Sequence, residues 1–261
     1  AEAGADGSAR EGARPWAVAA VWVCPALAVG AAFGGATQGR EFVLDDAHVV
    51  RNNPAVLGST SFGAVWVRDY WGRPLADLAS HKSYRPLVVL SLRWQAAALS
   101  AWLGPEAARG PLQYHVVDVV LHALNAGLLG SLLLRVTGAW PIAAACSALF
   151  AAHPVNTEVV ANIAGRAELL SASCVLVVLR SLADAIGERR SRLGLGRAAG
   201  AASCDGALSD VGPWPCLWHS PPPVTLCVAL LAAPMCKEQA LVLPLVVLVA
   251  AAAASAGGGR G

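Results

Sequence analysis

Residues 16–36, WAVAAVWVCPALAVGAAFGGA, contain no charged side chain. A helix of about 20 such residues crosses a hydrocarbon core about 30 Å thick. A secretory signal is the rival, because the run begins soon after Arg10 and Arg14. An uncleaved span is the better reading, since no long soluble domain follows. Similar runs occupy 112–134, 169–186 and 224–254, the last broken by MCKEQ at 235–239. The run at 139–152 reaches adequate length if it continues to 155. Composition agrees: 56% of residues are hydrophobic and 14% charged, against about 25% charged in an average soluble domain. The expected fold class is all-α integral membrane, with membrane lipid as a partner. A net charge of +2 gives no case for nucleic acid. Seven cysteines without C-x-x-C pairs read as small buried hydrophobes rather than metal ligands.

The expected organisation is a disordered Gly/Ala-rich arm over 1–15, a transmembrane module over 16–254 and a low-complexity tail over 255–261. Spans are predicted near 16–36, 112–134, 139–155, 169–186, 220–235 and 240–254, the last two being short spans or a re-entrant hairpin. Residues 86–103 are apolar but hold Arg93, Gln95, Trp94 and Trp102. That mixture predicts a helix lying in the interface rather than crossing. The polar loop at 187–222 carries Arg189, Arg190, Arg192 and Arg197, which assigns it to the cytosol by the positive-inside rule. Counting back, 153–168 is luminal. If 86–103 does not cross, 37–111 is luminal as well.

Polar clusters then gather on one side: EFVLDD (41–46), SHKSYRP (80–86), HPVNTE (153–158) and CKEQ (236–239). Ionisable groups at span ends mark cavities or pathways more often than greasy surface. Asp45 and Asp46 are candidates for a general base, or for a turn or helix cap. His81, Lys82 and Arg85 offer charge and forked donors to a phosphate, and a solvated loop is the plainer alternative. His153, Glu158, Arg166, Lys237 and Glu238 are candidates for the wall of the same site. Glu158, Asn162 and Arg166 share a face if 155–168 is helical, where they would form one buried network. His115, Asp118, His122 and Asn125 share a face of the 112–134 helix. Hydrogen bonding between helices is the favoured role for that stripe, ahead of a metal.

Taken in order, EFVLDD, DYWG (69–72), SHKSYRPL (80–87), HPVNTEVV, GRAELL (165–170) and CKEQ resemble the transmembrane, tetratricopeptide-repeat-containing O-mannosyltransferases that act on cadherins in the endoplasmic reticulum. The resemblance covers about 41–245. It implies part of a GT-C-type multi-span bundle in the endoplasmic reticulum membrane, with short helices in its first luminal loop. It also implies transfer of mannose from dolichyl-phosphate mannose to Ser or Thr of luminal, cadherin-type acceptors. The acidic pair of the first luminal loop, Asp45 and Asp46, would supply the base. Lys82, Arg85, Arg166 and Lys237 are assigned to the leaving phosphate by chemistry. Asn156 stands where the family has a second histidine in HP-x-H-T-E, and Asp118 where it has asparagine. No 34-residue repeat period occurs, so a truncated form is expected. An inactive scaffold of the same family is the alternative reading, and a transporter built on the intramembrane stripe is a third.

Overall fold

The computed structural model describes residues 15–38, 41–192 and 223–256. The expected N-terminal arm, most of the arginine loop with Arg197, and the C-terminal tail lie outside the described residues, apart from their inner edges. The helices are α1 (Pro15–Phe33), α2 (Pro86–Leu103), α3 (Leu112–Thr137), α4 (Trp140–Ala152), the single turn α5 (Thr157–Val160), α6 (Arg166–Arg192), α7 (Pro223–Cys236) and α8 (Leu243–Ala256). No strand occurs among the described residues, only an isolated bridge between Arg68 and Pro74. Four segments are long and apolar enough to cross a membrane: Trp16–Ala36, Pro86–Leu103, Leu112–Thr137 and Ile163–Gly187. The all-α, multi-span class expected from the apolar runs holds.

Small residues set the packing. Helices in lipid gain little from hydrophobic exclusion, so close backbone approach matters more. A Cβ on Gly127 would lie 2.2 Å from the Trp22 ring, so α3 meets α1 where no side chain intervenes. Trp16 of α1 and Trp140 of α4 make an edge-to-face pair, with ring centroids 4.8 Å apart. Arg135 near the end of α3 pairs with Asp184 far along α6. These contacts mark one end of the bundle.

The other end carries the loops. Residues 41–85 fold into short helical turns, Ala47–Arg51 and Phe62–Val67, over a core of Val49, Val50, Val56, Val65, Tyr70 and Leu92. Each buried Val or Leu there is worth roughly 1.5–3 kcal/mol over exposure. Arg93, midway along α2, donates to the carbonyls of Ala55 (3.0 Å) and Thr60 (2.9 Å). Gln95 donates to the Gln113 carbonyl at 2.8 Å. The middle of α2 is thus bound to the loop before it and to the start of α3.

Two expectations need correction. Residues 155–168 are not one helix. They break into a 3-10 turn at Pro154–Asn156, α5, a second 3-10 turn at Ile163–Gly165, and α6. Asn162 is extended, and its side chain accepts from the Ala164 N–H at 2.9 Å, capping the next turn in place of continuing the last. Gly165 sits so close to the 159 backbone that a Cβ would lie 2.3 Å from the Val159 carbonyl oxygen. Glu158 therefore faces solvent, while Arg166 is buried. The loop expected from 187 also begins later, because α6 runs on to Arg192 through GERRSR, where Glu and Arg are good helix formers.

Candidate functional site

The peptide group of Ala164 joins the motifs. Its N–H donates to Asp46 Oδ1 at 3.0 Å, and its carbonyl accepts from the Tyr70 hydroxyl at 3.0 Å. EFVLDD and DYWG thus meet at the residue that directly precedes GRAELL and whose own side chain is a methyl. Asp46 is fully buried, and its Oδ2 accepts from the Val43 N–H at 3.2 Å. Burial raises its carboxyl above the ordinary value, and these backbone N–H groups offset part of that rise. Asp45 is exposed, and its carbonyl starts the following turn by accepting from His48 and Val49. The adjacent acids thus have different surroundings, one held inside and one open.

Tyr70 is buried, which pushes its hydroxyl well above the usual phenol range. Arg85 lies over its ring at 5.1 Å and makes a two-pronged pair with Glu238 at 3.2 and 3.0 Å. Burial by itself lowers the Arg85 guanidinium, but the hydrogen bond and charge of Glu238 outweigh it and hold it above its ordinary value. Lys237 pairs with Glu168. SHKSYRPL, GRAELL and CKEQ are therefore joined by charge. Arg166 is enclosed: Nε donates to Asp118 at 2.6 Å, Nη1 to Gln95 at 2.6 Å and Nη2 to the Tyr114 carbonyl at 3.0 Å.

Other predicted residues lie elsewhere. Lys82 is exposed, and its ammonium caps the carbonyls of Leu75 and Asp77. His81 is exposed against Trp71, with centroids 6.0 Å apart. His153 is exposed and accepts at Nδ1 from the Val155 N–H. Asn156 donates to the Phe150 carbonyl at 2.7 Å and closes the end of α4. The intramembrane stripe is buried along its length. His122 reaches the Ala151 carbonyl at 3.0 Å, and Asn125 donates to the Leu169 carbonyl at 2.9 Å and accepts from Ser173 at 2.6 Å. Among the described residues no group of three His, Cys, Asp or Glu is placed to hold a metal.

Residues not singled out from the sequence also shape the site. Asp69 accepts from the N–H groups of Trp71 and Arg73 and from the Ser80 hydroxyl, fixing DYWG against SHKSYRPL. Asn53 donates to the Tyr70 carbonyl at 3.0 Å. A short polar residue beside a Gly- or Pro-containing turn was the available signal for both. Leu44 and Lys82 hold positive φ, 49° and 58°, in the two motif loops. Left-handed backbone at non-glycine residues stores strain and gathers at functional sites.

The helices define a multi-span membrane protein whose bundle carries this networked polar region at one end. About half of the chain aligns with curated protein O-mannosyl-transferases. A Caenorhabditis elegans protein of that name is 40% identical over 136 residues, 51% of this chain and 18% of the relative. Mouse TMTC1 is 40% identical over 155 residues, covering 58% and 15%, and human TMTC2 37% over 135 residues, covering 51% and 15%. All three are named protein O-mannosyl-transferases and two carry the TMTC name, which bears out the family resemblance carried by the motifs. The matched region spans less than a fifth of each relative's length. No sequence-family profile and no solved structure matches the chain.

Proposed function

We propose that this chain carries the donor-handling, catalytic end of a protein O-mannosyltransferase of the endoplasmic reticulum. On this reading it moves mannose from dolichyl-phosphate mannose to Ser or Thr of luminal, cadherin-type proteins. The supporting observation is the division of labour between the two acids: Asp46 is pinned inside by the Ala164 and Val43 N–H groups, and Asp45 stands free beside it. Asp45 is then the base. It takes the proton from the acceptor hydroxyl as that oxygen bonds to the mannose anomeric carbon. The bond from that carbon to the phosphate oxygen breaks, and the electron pair leaves with dolichyl phosphate. Asp46 holds the loop. Arg85, at the edge of the network, and Lys82, exposed outside it, are more open to the leaving phosphate than the enclosed Arg166, and fixed cations there would stabilise the developing charge. Helix α2 lies in the luminal interface, which keeps the acidic loop and the 153–165 segment on the same side.

The test is mannose transfer from radiolabelled dolichyl-phosphate mannose in microsomes containing the chain. Asp45→Asn should abolish transfer while membrane insertion is unchanged; full activity in that variant would sink the assignment. One observation favours a catalytically silent scaffold instead: Lys82, Arg85, Arg166 and Lys237 all have partners within the protein. A scaffold would show no transfer and would keep its partners in either aspartate variant.

A further inference from the structure

Besides the polar network, the loop end contains a cleft of about 830 Å3. One wall is the acidic loop, with Glu41, Phe42, Arg51 and Leu57, and the other is the α2–α3 connection, with Glu106 and Arg109. We propose that this cleft seats the acceptor polypeptide in extended form. The inference rests on the transferase reading, since a base must reach the hydroxyl it deprotonates. The acceptor must therefore lie along the loop that carries Asp45. Residues on either side of Asp45 in that loop line the cleft: Glu41 and Phe42 before it, and Ala47, Arg51 and Asn52 after it.

Both walls are fixed before any ligand arrives. Val49 and Val50, just before Arg51, are fully buried, and Ala108, between Glu106 and Arg109, is buried with its carbonyl bonded to the Tyr114 hydroxyl at 2.9 Å. A preformed cleft has less ordering cost to offset on binding. Its size lies within the range of about 300–1,000 Å3 usual for ligand sites. Its chemistry separates the acceptor from the donor. Two arginines and two glutamates line it, so it offers a phosphate no net attraction, whereas a peptide can present both signs. The Arg109–Glu106 contact, 3.7 Å long between exposed side chains, is weak and free to exchange with ligand charges. Phe42 and Leu57 give apolar contact between the charged positions.

The test uses the full chain in microsomal membranes, with a photoreactive benzoylphenylalanine replacing Leu57, Glu106 or, as control at the opposite end of the bundle, Val136. The probe is a biotinylated peptide with one Thr flanked by Lys and Glu. Capture is expected at positions 57 and 106, should be competed by unlabelled peptide, and should be absent at 136. The double variant Arg51→Glu, Arg109→Glu should lower capture about tenfold, the equivalent of about 1.4 kcal/mol. Equal capture at position 136, or capture indifferent to the double reversal, would overturn the proposal. Capture at both positions without mannose transfer leaves the cleft standing and removes the transferase reading. Transfer with an unchanged peptide KM in the double variant removes the cleft alone.

Discussion

Asp45 and Asp46 are neighbours in sequence with opposite environments, and that contrast yields two separable outcomes. Asp45→Asn should lower transfer by about 100-fold or more, the usual reach of general-base catalysis, with an unchanged unfolding temperature. Asp46→Asn should lower stability by about 1–3 kcal/mol, because the amide nitrogen that replaces one carboxylate oxygen cannot accept from a backbone N–H. Melting of the two detergent-purified variants distinguishes them. Asp46 also predicts a pH dependence. Its carboxyl is raised above 3.8 by burial, so the folded state keeps its proton where the unfolded chain has lost it. Stability should therefore fall as pH rises from about 4 through the raised value and level off above it. Asp46→Asn should flatten that slope in a melting series. The sequence pointed to both acids but not to their division. The division depends on Ala164, which contributes only backbone groups and leaves no mark in a side-chain pattern.

At the scale of elements, α3 was the most legible. Its stripe of His115, Asp118, His122 and Asn125 follows from helical spacing, and all four are buried against neighbours. The 153–168 segment was the least legible, because i, i+4 spacing suggested a helix that the Asn162 cap and the close approach at Gly165 interrupt. Arg166 is consequently a tie between α2, α3 and α6 rather than one residue of a face it shares with Glu158. Arg166→Ala should destabilise the bundle by about 3–5 kcal/mol, since it leaves the Asp118 carboxylate buried and uncompensated. Arg166→Met with Asp118→Leu should recover most of that loss, as read by protease resistance in membranes. Glu158→Gln, on an exposed carboxyl, should leave that resistance unchanged; its effect on transfer reports on the active-site wall separately. Gly127→Val should part α1 from α3, because the added carbons collide with the Trp22 ring. The same protease assay should show α1 released first.

For the whole molecule, one question of sidedness decides whether the motifs share a site. Arg85, before α2, pairs with Glu238, and Tyr114, in the first turn of α3, lends its carbonyl to Arg166 at the start of α6. Tyr70 and Asp46 meet the 163–165 turn directly. The residues that open α2 and α3 therefore reach the same polar end of the bundle, and α2 is itself apolar enough to cross by composition. Trp94 and the largely exposed Trp102 suit the headgroup level. The mixture of Arg, Gln and Trp suggested an interfacial helix from the sequence, whereas nothing in the sequence signalled the pairing of Arg85 with Glu238 across 153 residues. The measurement that tests the account most directly is a glycan-acceptor reporter inserted singly near Asp77, Glu106, Asn156 and Arg192 in microsomes. Modification at the first three positions and not at the fourth is predicted, placing the acidic loop, the cleft and the 153–165 turn together in the lumen. Modification near Asp77 but not near Glu106 and Asn156, or the reverse, would make α2 a true span and contradict a single shared site.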